Sequence, residues 1–139
     1  MCLEHLVTGG EQRAARFQRA ADAANESKPA GVRWGFFHAP PWYSQATPEL
    51  LAYADAHLDA YGSADVLMPA FYLKQGVTLP AWREDVQYRM EYIRRKLPGM
   101  PVIAWVCPEV LPPCDHLLTK EQFASMLRFL RDQGCEGVI

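Results

Sequence analysis

Four short apolar runs recur about thirty-five residues apart, beginning near positions 32, 66, 101 and 136, with a helical pattern between each pair. This alternation constrains the fold more than any single motif. A helix that carries the chain from one strand to the next returns it to the same end of the sheet, so the strands run parallel. The runs are Val32-Arg33-Trp34-Gly35-Phe36-Phe37, Ala64 through Tyr72, Pro101 through Val106, and Glu136-Gly137-Val138-Ile139. The third holds no charged residue, as expected of a strand covered by helices on both faces.

The intervening segments have helical spacing. Ala14, Phe17, Ala21 and Ala24 share one face of a segment from Glu11 to Asn25, and Lys28-Pro29-Ala30-Gly31 ends it. Thr47-Pro48-Glu49 opens a second helix, threonine capping and proline at the first helical position. Its stripe is Leu50, Leu51, Ala54, Leu58 and Tyr61, and Gly62 stops it. Trp82, Val86, Met90, Ile93 and Leu97 mark a third helix, closed by Pro98-Gly99. Thr119-Lys120-Glu121-Gln122 has the form of a capping box and starts a fourth, with Phe123, Met126, Leu127 and Leu130 inward and Gly134 at its end. The chain therefore reads as one α/β domain over residues 1–139, with an N-terminal helix over 9–27 and β/α units from 32 to 139.

Two architectures use such units, the closed eight-unit barrel of ~250 residues and the open doubly wound sheet. The open sheet places glycines after its first strand, where backbone amides must approach a phosphate. Here that loop is His38-Ala39-Pro40-Pro41-Trp42, in which proline offers no amide hydrogen and tryptophan obstructs approach. The reading is a TIM-type barrel, incomplete at about four strands and expected to continue on both sides.

Charge and composition remove several function classes. A net charge of −2 without a clustered basic face speaks against nucleic acid as a partner. The longest apolar run, Met100 to Cys107, is far short of the ~20 residues that cross a bilayer, so no membrane partner is expected. The N-terminal residues lack the basic-then-apolar pattern of a secretory leader. Cys2, Cys107, Cys114 and Cys135 fit reduced thiols, with a Cys107–Cys114 pair as the alternative. The set Cys107, Cys114, Asp115 and His116 matches no zinc spacing, and neither a nucleophile elbow nor a phosphate loop is present. No metal and no cofactor are expected.

In a β/α barrel the active site forms from loops at the carboxyl ends of the strands, here residues 38–45, 71–78 and 106–118. Tyr43, Tyr72 and Glu109 are the candidate substrate-binding residues in these loops. Aromatic rings with scattered polar groups suit a sugar cleft, because ring faces pack on the apolar faces of pyranoses. Plainer readings stand beside these: Trp34 and Trp105 as packing, Glu109 as a solvated loop carboxylate, and His38 as a cap on a backbone group.

The run Lys28 to Phe37, then Ala64 to Leu73, Pro101 to Val106, Leu117 to Phe123 and Gly134 to Ile139, resembles the hyaluronidases in order and spacing. The resemblance covers residues 28–139. It implies a retaining glycosidase acting on an N-acetylhexosamine-containing polysaccharide, with one acidic proton donor and the substrate's own N-acetyl group as nucleophile. The family's donor motif, an acidic pair around an aromatic residue, lies upstream of this region, so the catalytic acid is expected outside the chain. Tyr72 matches the family's substrate-positioning tyrosine. Two positions depart: the family's cysteine after the first strand is replaced by Ala39-Pro40-Pro41-Trp42-Tyr43, and its tyrosine after the third strand is replaced around Val110. A divergent glycosidase is therefore implied, with a carbohydrate as partner and self-association through exposed sheet edges. The alternatives are a non-catalytic carbohydrate-binding or structural barrel and an open-sheet regulatory or nucleotide-binding domain.

Overall fold

The computed structural model describes residues 3–37, 46–110 and 116–139, with side chains described from residue 12 onward. Its elements in chain order are α1 (Leu3–Ser27), β1 (Gly35–Phe37), α2 (Pro48–Asp55), α3 (Leu58–Gly62) and β2 (Val66–Met68), followed by α4 (Leu79–Lys96), β3 (Ile103–Ala104), α5 (Lys120–Asp132) and β4 (Gly137–Val138). Helix and strand alternate as the sequence predicts, and each apolar run carries one strand.

The strands lie side by side in chain order. β1 pairs with β2 in parallel, Phe36 opposite Leu67, and β3 pairs with β4 in parallel, Ile103 opposite Gly137. Parallel bridges Leu67–Val102 and Ala70–Trp105 join β2 to β3. The amide of Leu67 donates to the carbonyl of Pro101 at 2.9 Å and that of Phe71 to the carbonyl of Trp105 at 2.8 Å. A doubly wound sheet reverses its strand order at a switch point, whereas these four strands advance without reversal, as in the wall of a barrel.

Alternation along the strands sorts side chains to two faces. Leu67, Phe71, Val102 and Ala104 point toward the helices and are buried, in one core with Val86, Met90 and Leu130. Met68, Tyr72, Ile103 and Trp105, at positions of the other parity, are less covered. Gly35 is required by the closeness of β1 and β2. A Cβ at that position would lie 2.1 Å from the carbonyl oxygen of Val66 and 2.7 Å from its Cγ1.

Two helix boundaries differ from expectation. α1 starts at Leu3 rather than near residue 9 and passes through Gly9-Gly10. Glycine weakens a helix by roughly 1 kcal/mol, which a helix of this length absorbs. The single helix expected from residue 48 to Gly62 is instead two, interrupted at Ala56-His57. The buried His57 ring donates from Nδ1 to the Tyr53 carbonyl at 2.7 Å, an acceptor that the His57 amide would take in a continuous helix. That amide bonds the carbonyl of Ala54 instead.

At the amino ends of the strands, Lys28 Nζ donates to both oxygens of Asp65, at 2.7 and 2.8 Å, and the Trp34 amide donates to Asp65 Oδ2 at 3.0 Å. The lysine, then the amide, holds the Asp65 carboxyl below its ordinary range. This cluster fastens the end of α1 to the amino ends of β1 and β2.

Candidate functional site

β2 leads into Pro69-Ala70-Phe71-Tyr72, and α4 fixes this extension by its carbonyls. Arg89, only 3% exposed, donates from its guanidinium to the Ala70 carbonyl at 2.8 Å and lies with Cζ 4.5 Å from the centre of the Phe71 ring. Trp82 donates from Nε1 to the Phe71 carbonyl at 3.0 Å. With Ala70 and Phe71 held from the helix side, Tyr72 is set on the less covered face. The chain then turns away at Lys74–Val77, where the Val77 amide reaches the Lys74 carbonyl at 3.0 Å. Gly76 takes φ 78°, the left-handed value that a type II turn requires at its third residue.

On the same face as Tyr72, the rings of Phe37 and Trp105 meet edge to face, with centroids 4.9 Å apart. Trp105 is held by its backbone, its amide donating to the Pro69 carbonyl at 2.9 Å. Its indole Nε1 is buried and has no hydrogen-bond partner among the described residues. Burial, then the neighbouring Cys107, raises the pKa of the Tyr72 hydroxyl above the ordinary tyrosine value, so the oxygen keeps its proton at neutral pH. The arrangement is an aromatic pair with a hydroxyl donor on the same face, and a buried indole nitrogen with no acceptor among the described residues.

The sequence-predicted residues are distributed as follows. Tyr72 lies at the carboxyl end of β2, partly covered. Glu109 is partly buried on the β3–α5 connection, in an isolated antiparallel bridge with Leu117. Tyr43 lies outside the described residues, as do His38, Trp42, Cys114 and Asp115. Cys107 and Cys135 are free thiols. Among the described residues no group of three or more His, Cys, Asp or Glu side chains is arranged to hold a metal ion, and no helix is long and apolar enough to cross a membrane. Sequence reasoning missed Phe37 as a platform residue and Arg89 as a clamp. The alternation Val102-Ile103-Ala104-Trp105 was the available signal for Trp105, since it places the indole opposite the helix-facing Ala104.

No family model matches the chain, and no curated protein matches it. Among solved structures, it is similar to bee venom hyaluronidase in complex with a hyaluronic acid tetramer, with a TM-score of 0.74 and 23% identity over 88% of this chain and 41% of that one. A monoclinic crystal structure of the same bee enzyme gives a TM-score of 0.74 and 22% identity over 91% of this chain and 44% of that one. The chain thus spans less than half the length of the structures it matches. At this identity the likeness is one of fold.

Proposed function

We infer that the chain is part of a glycoside hydrolase acting on an N-acetylhexosamine-containing polysaccharide, with its catalytic acid supplied from outside these residues. The observation that carries this reading is Tyr72, which stands at a strand's carboxyl end beside an aromatic platform, in a fold like that of a hyaluronidase. Barrel enzymes place their chemistry at that end. The Phe37–Trp105 pair offers ring surface for the apolar face of a pyranose, and the Tyr72 hydroxyl offers a donor for its oxygens.

The chemistry follows the retaining route in which the substrate supplies its own nucleophile. An acid protonates the leaving glycosidic oxygen while the acetamido oxygen bonds to the anomeric carbon, and the carbon–oxygen bond to the leaving group breaks. Water then opens the ring so formed. The proton-bearing Tyr72 hydroxyl orients the acetamido group as charge develops on it.

The test compares residues 1–139 with a longer protein that carries an acidic pair upstream. The shorter chain is expected to release no reducing ends from an N-acetylhexosamine polymer, because a missing general acid costs at least ~100-fold. The longer protein is expected to release them. Turnover by residues 1–139 would make an internal carboxylate such as Glu109 the acid. Saccharide binding without turnover by the longer protein would favour a non-catalytic carbohydrate-binding barrel.

A further inference from the structure

Tyr72 follows two consecutive peptide planes, and both are held from elsewhere in the fold. The first, Ala70 to Phe71, has its amide on the carbonyl of Trp105 at 2.8 Å and its carbonyl on the guanidinium of Arg89 at 2.8 Å. The second, Phe71 to Tyr72, has its carbonyl on Trp82 Nε1 at 3.0 Å. A peptide unit is planar, so two fixed planes fix the backbone angles of the residue between them and the direction in which the next side chain leaves the chain. The Tyr72 hydroxyl is at the far end of that side chain, where a small tilt of the second plane becomes a large displacement. Trp105, whose ring packs on Phe37, holds the first plane from the strand side, so the hydroxyl and that ring are tied to one peptide plane.

Trp82 and Arg89 lie two turns apart on α4, which brings both to one face of the helix. Both are buried. A guanidinium is costly to remove from water, and an apolar residue of similar volume often serves stability as well or better. Asp85, one turn earlier, stands 3.5 Å from Arg89 Nη1 and is itself only partly covered, so the charge is met from the solvent side. What an apolar residue lacks is a donor for the Ala70 carbonyl and a cation over the Phe71 ring. Those two contacts, rather than stability, account for a guanidinium at this place.

We propose that Arg89, with Trp82 beside it, is a positioning residue, which sets the place of the Tyr72 hydroxyl through the backbone and touches no substrate. A reacting group misplaced by about 1 Å can cost on the order of 100-fold in rate, so loss of this clamp falls on turnover before it falls on stability. The consequence for turnover rests on the glycosidase reading. The placement of the Tyr72 ring does not.

The test uses the longer protein with Arg89→Met, Arg89→Lys and Trp82→Phe, each also combined with Tyr72→Phe. Methionine fills the space without a donor, lysine keeps a cationic donor, and phenylalanine keeps a ring without one. Arg89→Met and Trp82→Phe are each expected to lower kcat by ~10-fold or more with KM changed by less than ~2-fold, and Arg89→Lys is expected to recover part of the loss. In the Tyr72→Phe background the same substitutions are expected to add less than ~2-fold, because the hydroxyl that they position is gone. Should Arg89→Met not fold, Trp82→Phe carries the same cycle. Losses that multiply in the Tyr72→Phe background, or a kcat that no variant changes, would overturn the proposal and leave Arg89 and Trp82 as core residues only. A second readout follows the rings of isotope-labelled tyrosine by magnetic resonance, with the Tyr72 signal identified by its loss in Tyr72→Phe. That signal is expected to shift or broaden in Arg89→Met and Trp82→Phe. If the longer protein cleaves no polymer, the glycosidase reading falls and the ring signal decides alone. Moved, it keeps the positioning role; unmoved in all three variants, it overturns it.

Discussion

Tyr72 carries a hydroxyl that, like any phenol, holds its proton at neutral pH, and partial burial, then the neighbouring Cys107, raises its pKa further, so it donates. In the complete protein, Tyr72→Phe removes that donor and keeps the ring. Turnover is expected to fall by about 3 kcal/mol of transition-state stabilisation, on the order of 100-fold, while the unfolding free energy moves by less than ~1 kcal/mol. Parallel measurement of kcat/KM and of the urea midpoint checks both. Wild-type turnover in Tyr72→Phe, with unfolding of Tyr72→Ala, would make Tyr72 a core residue. Its location was legible in the sequence because it ends an apolar run that a helix follows. The Arg89 clamp was not: an arginine among Asp85, Glu84 and Glu91 reads as part of a solvated face. Its burial depends on the Phe71 ring and the Ala70 carbonyl, the latter 19 residues back in the chain, which no local pattern encodes.

Helices were more legible than strands, because their ends are written in side chains that bond their own backbone. The capping box at Thr119 and Gln122 is present with both of its hydrogen bonds, and the Thr47 side chain accepts from the amide of Leu50. Thr78 caps α4 in the same way, which sets the start of that helix before the first residue of its apolar stripe. The break at His57 was not legible, since it depends on a ring nitrogen competing for a carbonyl. Among the strands, β1 is specified by an absence of bulk. Gly35→Ala places a methyl 2.1 Å from the Val66 carbonyl oxygen, and that atom belongs to a backbone that cannot move without breaking the β1–β2 register. The expected loss is about 3 kcal/mol, at the upper end of overpacking, seen as a lower denaturant midpoint. An unchanged midpoint would mean that β1 and β2 separate at little cost.

For the molecule as a whole, the strands in chain order leave β1 and β4 each with one strand neighbour among the described residues. Apolar surface collects at these margins: Phe37 is 52% exposed, Val138 46% and Ile139 51%. In a closed barrel the inner face of β1 packs against other strands, and the outer face of β4 lies under its following helix. Residues 1–139 alone have neither cover, and an unpaired strand edge next to exposed apolar side chains is a template for pairing with another chain. The net charge of −2 opposes such contacts only weakly. Residues 1–139 are therefore expected to associate, with an apparent mass on size-exclusion chromatography with light scattering that rises with loading concentration. Phe37→Lys, which sets a charge on the exposed face of β1 without altering its backbone pairing, is expected to shift the distribution toward the monomer. A concentration-independent monomer that melts in one cooperative step would show that four β/α units bury enough surface by themselves, and the incomplete-barrel reading would lose its physical basis.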